Sequence, residues 1–291
     1  MKQRKIDDKV RSTTWYARLG YWFADIPWYG YVFAGLMFVF QHCFYMAAEA
    51  IGRNMGHIYG WGPFGDPSIW DPEAAGHWYW LGWTPKTAID DNMFPLIIEF
   101  WIIPYVSFAI FITFGALVAA HSGRNKFTEF VITSFSCWFI GFLIMAFAPA
   151  YMHRGTERVL DRLAKNDFWA KLYGGLFSLH NYENINLAPS FHCLSTGLIM
   201  ASCYNKKGIN RGLHLFTVVW SILIYLSTCY TKHHYFMDFV LAMAILMVVY
   251  ITISRLHIGQ KIWNRHQVGA RIADMTIPDI YKAIKKRKAT K

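Results

Sequence analysis

Six stretches of mostly apolar residues, near 28–50, 94–120, 128–150, 187–204, 212–230 and 236–254, dominate this 291-residue chain. Each approaches the roughly 20 residues that a helix needs to cross a bilayer core. The composition agrees, with 55% of residues apolar and 18% aromatic, too greasy for an ordinary soluble domain. The expected fold is all-α, a polytopic membrane protein built as a six-transmembrane helical bundle. The fourth and fifth runs are the shortest and carry polar residues; the basic turn Asn205-Lys206-Lys207-Gly208 separates them.

Six spans place both termini on one side, and charge says which. Of 29 Lys and Arg, 6 precede the first span, 2 lie in 121–127, 3 in 205–214 and 10 follow residue 254; only 8 fall in the opposite segments. Basic segments resist translocation, so both termini are expected in the cytoplasm. The same distribution accounts for the net charge of +11 as topology rather than as a nucleic-acid footprint. The chain then divides into a basic N-terminus (1–27), a membrane domain (28–254) with outer loops at 51–93 and 151–186, and a basic tail (255–291). No cleaved signal peptide is expected, so the first span also acts as the targeting signal.

The outer loops differ in kind. Residues 51–90 carry Trp61, Trp70, Trp78, Trp80 and Trp83, which suits a loop resting at the headgroup level. Residues 155–180 mix Val159, Leu160, Leu163, Phe168 and Trp169 with charged side chains, the pattern of an amphipathic surface helix. The run Lys285-Lys286-Arg287-Lys288 reads as a solvated or headgroup-facing tail. All five cysteines fall in apolar runs without metal-ligand spacing, and behave as small hydrophobes.

This topology brings chemically active residues to one face. The third span ends outward at Pro149 to Arg154, the fourth starts at Pro189 to His192, the fifth ends near Thr228 to Lys232, and the sixth starts at His234. Arg154, His192, Lys232, His234 and Asp238 therefore converge on the outer side. Singly, such residues are most often interfacial or snorkelling side chains; five together point to a site. On a helix, His234 and Asp238 share a face at four residues' spacing, whereas His233 points about 140° away. A carboxylate bound to one imidazole nitrogen fixes the tautomer and makes the other a better base or nucleophile. His192 suits a proton donor. Arg154, Lys232 and the start of the span after Pro189, around Ser190, form an anion site suited to phosphate. Asn186 and Tyr235 are candidate accessory residues. The set describes phosphoryl transfer without metal or other cofactor; a metal site from His192, His234 and Asp238 is the competing reading, though no clustered ligand motif is present. His42, Glu49 and Glu99 receive no role.

Pro189-Ser190-x-His192, followed 42 residues later by His234-x-x-x-Asp238, resembles the second and third signature motifs of the type 2 phosphatidic acid phosphatase superfamily. The resemblance is closest to the branch of inositol phosphorylceramide synthase and sphingomyelin synthase. It extends to Ile89-Asp90-Asp91 with Pro95, to Pro104-Tyr105, and to Pro149 through Arg154, covering roughly residues 89–245. It implies an extracytoplasmic site in which His234 attacks phosphorus, Asp238 orients it, and His192 protonates the departing alkoxide and later deprotonates the acceptor. Arg154, Lys232 and the backbone near Ser190 would hold phosphate oxygens. The implied partners are a membrane lipid phosphate or phospholipid and a lipid hydroxyl acceptor. The chain departs from the superfamily at Phe147, where a Lys is usual, at Gly155 in place of Pro, at Phe191 in place of Gly, and at Thr228 in place of Arg. Fewer cations suit a monoanionic phosphodiester better than a dianionic monoester, which favours headgroup transfer over simple phosphate release. A transporter or a non-catalytic scaffold is the alternative from another class; the first predicts charges spread through the membrane depth.

Overall fold

The computed structural model describes residues 20, 22–58, 88–147, 157–179, 188–203, 211–266, 269, 272 and 274–289. In chain order the helices are α1 (Trp28–Ile58), α2 (Ala88–Asn92), α3 (Ile102–Val106), α4 (Phe108–Ala120), α5 (Arg124–Phe147), α6 (Glu157–Ala164), α7 (Phe168–Leu179), α8 (Phe191–Cys203), α9 (Arg211–Tyr230), α10 (Phe236–Arg255), α11 (Ile258–Arg265) and α12 (Ile277–Ala289). The described residues hold helices and no strand. The part of 51–90 that carries the tryptophans lies outside the described residues.

Four helices are long and apolar enough to cross a membrane: α1 over Trp28–Ala48, α5, α9 and α10. α4 and α8 are apolar but shorter, at 13 residues each. At 1.5 Å per residue such a helix rises about 20 Å, less than the roughly 30 Å of a bilayer core. Irregular backbone at that depth is tolerable only inside protein, and α8 meets this condition. It packs on α4, α5, α9 and α10, and ten of its thirteen residues are buried. α5 approaches the start of α8 at Gly141, where a Cβ would lie 2.5 Å from Cε1 of Phe191 and 3.3 Å from Cγ of Pro189. Inside the bundle Ser195 on α8 accepts from the Trp138 indole on α5 (3.1 Å) and donates to Gln41 on α1 (2.7 Å). Such interhelical bonds average only about 0.6 kcal/mol, so this chain fixes rotation while close apolar packing supplies the cohesion.

The second apolar run is not one helix over 94–120. Residues 93–101 are irregular, α3 begins only at Ile102, and α3 and α4 meet at Ser107. Pro95 biases Phe94 to extended backbone, and Pro104 is acceptable only because it falls in the first turn of α3. The irregular stretch is held by the Ile97 amide on the Tyr230 carbonyl (3.1 Å) and by Trp101 stacked on Tyr230 at 4.5 Å. Ile98 and Ile102 bury against Tyr173 of α7.

The single amphipathic helix expected over 155–180 is two helices, α6 and α7. Asn166 ends α6 with a left-handed φ of 52°, a conformation that Asn tolerates better than most residues. The Asp167 carboxylate then accepts from the Ala170 amide (2.7 Å) and opens α7. Arg162 binds both Asp167 oxygens (2.9 and 3.3 Å) and Glu99 (2.7 Å), tying this pair to the irregular stretch. The Ala170 amide and then the Arg162 guanidinium hold the Asp167 carboxyl below its ordinary range.

The C-terminal segment beyond residue 254 packs on the bundle. A Cβ on Gly259 would run into the Asn125 carbonyl, so α11 lies directly against the start of α5. The Trp263 indole donates to Thr128 (2.8 Å), also on α5.

Candidate active site

The last turn of α9 builds the site. Lys232 takes a left-handed φ of 55°, uncommon for a residue with a side chain, and this turns the chain back over the helix end. The Thr228 carbonyl then accepts from both the His233 and His234 amides, at 2.9 and 3.0 Å. The two neighbouring imidazoles part here. His233 is buried against Tyr105 (centroids 4.1 Å, stacked) and edge-on to Tyr173 (5.8 Å), with Nδ1 2.9 Å from Oγ1 of Thr231. His234 goes instead to Asp238 and His192.

His234 precedes α10 rather than lying on it, because the N-cap is Tyr235. The shared helical face expected for His234 and Asp238 is therefore not what pairs them. Asp238 is the third residue of α10 and reaches back as a capping carboxylate. Its Oδ2 accepts from the Tyr235 amide (3.0 Å) and lies 3.1 Å from Nδ1 of His234. An acidic group here also meets the positive end of the helix dipole. Asp238 is fully buried.

His192, the second residue of α8, completes the chain: its Nδ1 is 3.3 Å from Nε2 of His234. Phe108 (4.3 Å) and Tyr105 (5.2 Å) hold its ring from the α3–α4 side. Carboxylate, imidazole and imidazole thus lie in series. With Asp238 accepting a hydrogen bond from Nδ1–H of His234, Nε2 carries the lone pair and faces Nδ1 of His192.

Ser190 is buried, and its hydroxyl accepts from the Cys193 amide (3.3 Å), the N-cap arrangement that starts α8. Its amide donates to the Asp238 carbonyl (3.3 Å), which locks the two motif-bearing helix starts together. Lys232 donates through Nζ to the Asp90 carbonyl (2.8 Å). Tyr235 packs on Ala188 and contributes its amide to Asp238. Arg154 and Asn186 lie outside the described residues. Glu99 serves Arg162, and His42 stacks on Phe38 (6.0 Å) along α1, away from the histidine pair; the Glu49 side chain lies outside the described residues.

Asp90, quoted in the family resemblance but given no role in the site, is a further candidate functional residue. Only 2% exposed, it accepts from the Phe236 amide through Oδ1 (2.7 Å) while its carbonyl holds Lys232. α10 therefore starts beneath two carboxylates, Asp238 on the N-cap amide and Asp90 on the next. The signal for Asp90 was its place in Ile89-Asp90-Asp91, at the border of an apolar run.

A bundle of apolar helices with paired imidazoles and a buried carboxylate where its helices begin defines a membrane-type protein with a compact acid–base site. The sequence matches the family model of the PAP2 superfamily over residues 69–252, well over half of its length, and the chain belongs to that family. Membership supports an enzyme of lipid phosphatase or phosphotransferase type acting on a membrane lipid phosphate. No curated protein and no solved structure matches the chain.

Proposed function

We propose that the protein moves a phosphoryl or phospho-headgroup between lipids through a phosphohistidine on His234. The observation that carries this reading is the Asp238–His234–His192 series at 3.1 and 3.3 Å. In the first half-reaction Nε2 of His234 attacks phosphorus, the bond from phosphorus to the leaving oxygen breaks, and His192 gives that oxygen a proton. Asp238 keeps the Nδ1 proton in place and stabilises the charge on the ring. In the second half-reaction His192 takes the proton of an acceptor hydroxyl, whose oxygen attacks phosphorus and breaks the P–N bond. Lys232, Arg154 and the first-turn amides around Ser190 hold the non-bridging oxygens.

A headgroup transferase, of the kind represented by the inositol phosphorylceramide and sphingomyelin synthases, is favoured over a phosphatase. The support is the reduced count of cations at Phe147 and Thr228. Six spans, cytoplasmic termini and an extracytoplasmic site complete the reading, with α4 and α8 as the two protein-sheathed short spans.

Turnover by purified protein in liposomes tests it, with labelled phosphatidic acid in one arm and headgroup-labelled phospholipid plus diacylglycerol or ceramide in the other. Label moved to a new lipid supports transfer; label released as inorganic phosphate assigns a hydrolase. Activity that survives both His234→Ala and His192→Ala overturns the two-histidine mechanism.

A further inference from the structure

The opposite end of the bundle carries a helix that the site does not use. α12 starts one residue after Thr276, which bridges to Pro27. The Trp28 amide donates to the Met275 carbonyl (3.3 Å), its indole to the Ile272 carbonyl (3.2 Å), and Asp274 pairs with Arg124. Trp28 and Arg124 are the first residues of α1 and α5, two of the membrane-length helices. α12 therefore leaves from the level at which two spans begin. Its own start is fixed, because the Asp279 carboxylate accepts from the Thr276 amide (3.2 Å) and hydroxyl (2.7 Å).

The faces of α12 differ sharply. Ile277, Tyr281 and Ile284 are 51, 67 and 51% exposed, and at 100° per residue they fall within about 60° of arc. Lys282, Lys285 and Lys286 are exposed along the neighbouring arc, about 80–180° from Ile277. The helix sequence holds five basic residues against one acidic residue, Asp279. An apolar stripe at the bilayer surface, bordered on one side by cations on long apolar stems, is the arrangement of an interfacial helix on anionic lipid. An acidic protein would satisfy the lysines; it gives no reason for the stripe to sit level with the span starts.

We propose that α12 is a surface anchor that seats Ile277, Tyr281 and Ile284 in the leaflet at the start of α1 and binds anionic headgroups through Lys282, Lys285 and Lys286. This needs the chain to be a membrane protein and nothing of the histidine chemistry.

Hydrogen exchange of the 277–289 amides tests it on the full chain in lipid discs, with α10 amides as the folding control. Exchange is expected to be about tenfold slower in phosphatidylcholine–phosphatidylglycerol discs than in phosphatidylcholine discs, and to lose that difference in high salt. The combined variant Lys282→Glu, Lys285→Glu, Lys286→Glu is expected to abolish it, with α10 unchanged. Equal exchange in the two disc types overturns the proposal, as does full protection in detergent, which would mean that the protein itself holds the helix. Slowing by soluble polyglutamate equal to that by anionic discs overturns it in favour of an acidic protein partner. Should the combined variant fail to fold, the lipid and salt arms on the unaltered chain still decide.

Discussion

At one end of the bundle Asp238, Asp90, Ser190 and Thr231 are buried and bonded around a turn that reverses at Lys232. At the other, Lys285 and Lys286 stand exposed on a helix attached mainly through backbone carbonyls and one ion pair. The first end uses polar groups where water is scarce and each unmade bond costs about 1–3 kcal/mol; the second presents its charges to solvent. Substitutions at the first should change chemistry, and those at the second should change attachment or stability.

The largest effect should come from His234→Ala: loss of turnover per folded molecule by at least a thousandfold, on the scale of removing a covalent nucleophile. His233→Ala, one residue away, should lower stability by roughly 1–3 kcal/mol through the lost packing on Tyr105, and should leave turnover per folded molecule far closer to the parent. If the two variants lose turnover equally, the division of roles between these neighbours is wrong. Asp90→Ala comes next. The released Phe236 amide at the start of α10 should lower kcat by about 10–100-fold, the scale of a 1 Å misplacement; Asp90→Asn, which keeps an acceptor oxygen, should recover most of it. At the far end Gly259→Ala should cost about 1–3 kcal/mol of stability by forcing α11 off the Asn125 carbonyl, with kcat of the folded fraction unchanged.

The smallest effect is a pH response of the α6–α7 pair. Because the Asp167 carboxyl is held below its ordinary value of 3.8, its stabilisation is complete above that value and is lost as pH falls through the lower, folded-state one. Protection of α7 amides, measured against an Asp167→Asn variant at the same pH, should disappear only below 3.8.

Much of this was legible in the chain. Apolar length placed helices in all six runs, and the order of motifs brought His192, His234 and Asp238 toward one face. Three things were not legible. Hydropathy cannot see that 93–101 is irregular, because Phe94, Ile98 and Trp101 are apolar whichever backbone they take; Pro95 and Pro104 held that information. The break between α6 and α7 depends on Asn166 and Asp167 acting as C-terminal and N-terminal residues, which an apolar count over 155–180 averages away. The residues of the His234–Asp238 pair came from spacing, but its geometry comes from capping, since four residues also separate the residue before an N-cap from the third helical position.

The contact of Gly141 with Phe191 has a meaning for descent. The wider superfamily has Gly where this chain has Phe191, and here the ring occupies the volume that a side chain at 141 would need. The two sites share one allowance of space across α5 and α8, so a lineage that fills 141 must shift the ring or part the helices. Among relatives, bulk at one of these positions should predict its absence at the other, and a sequence that carries bulk at both should have moved the helices apart and with them His192 away from His234.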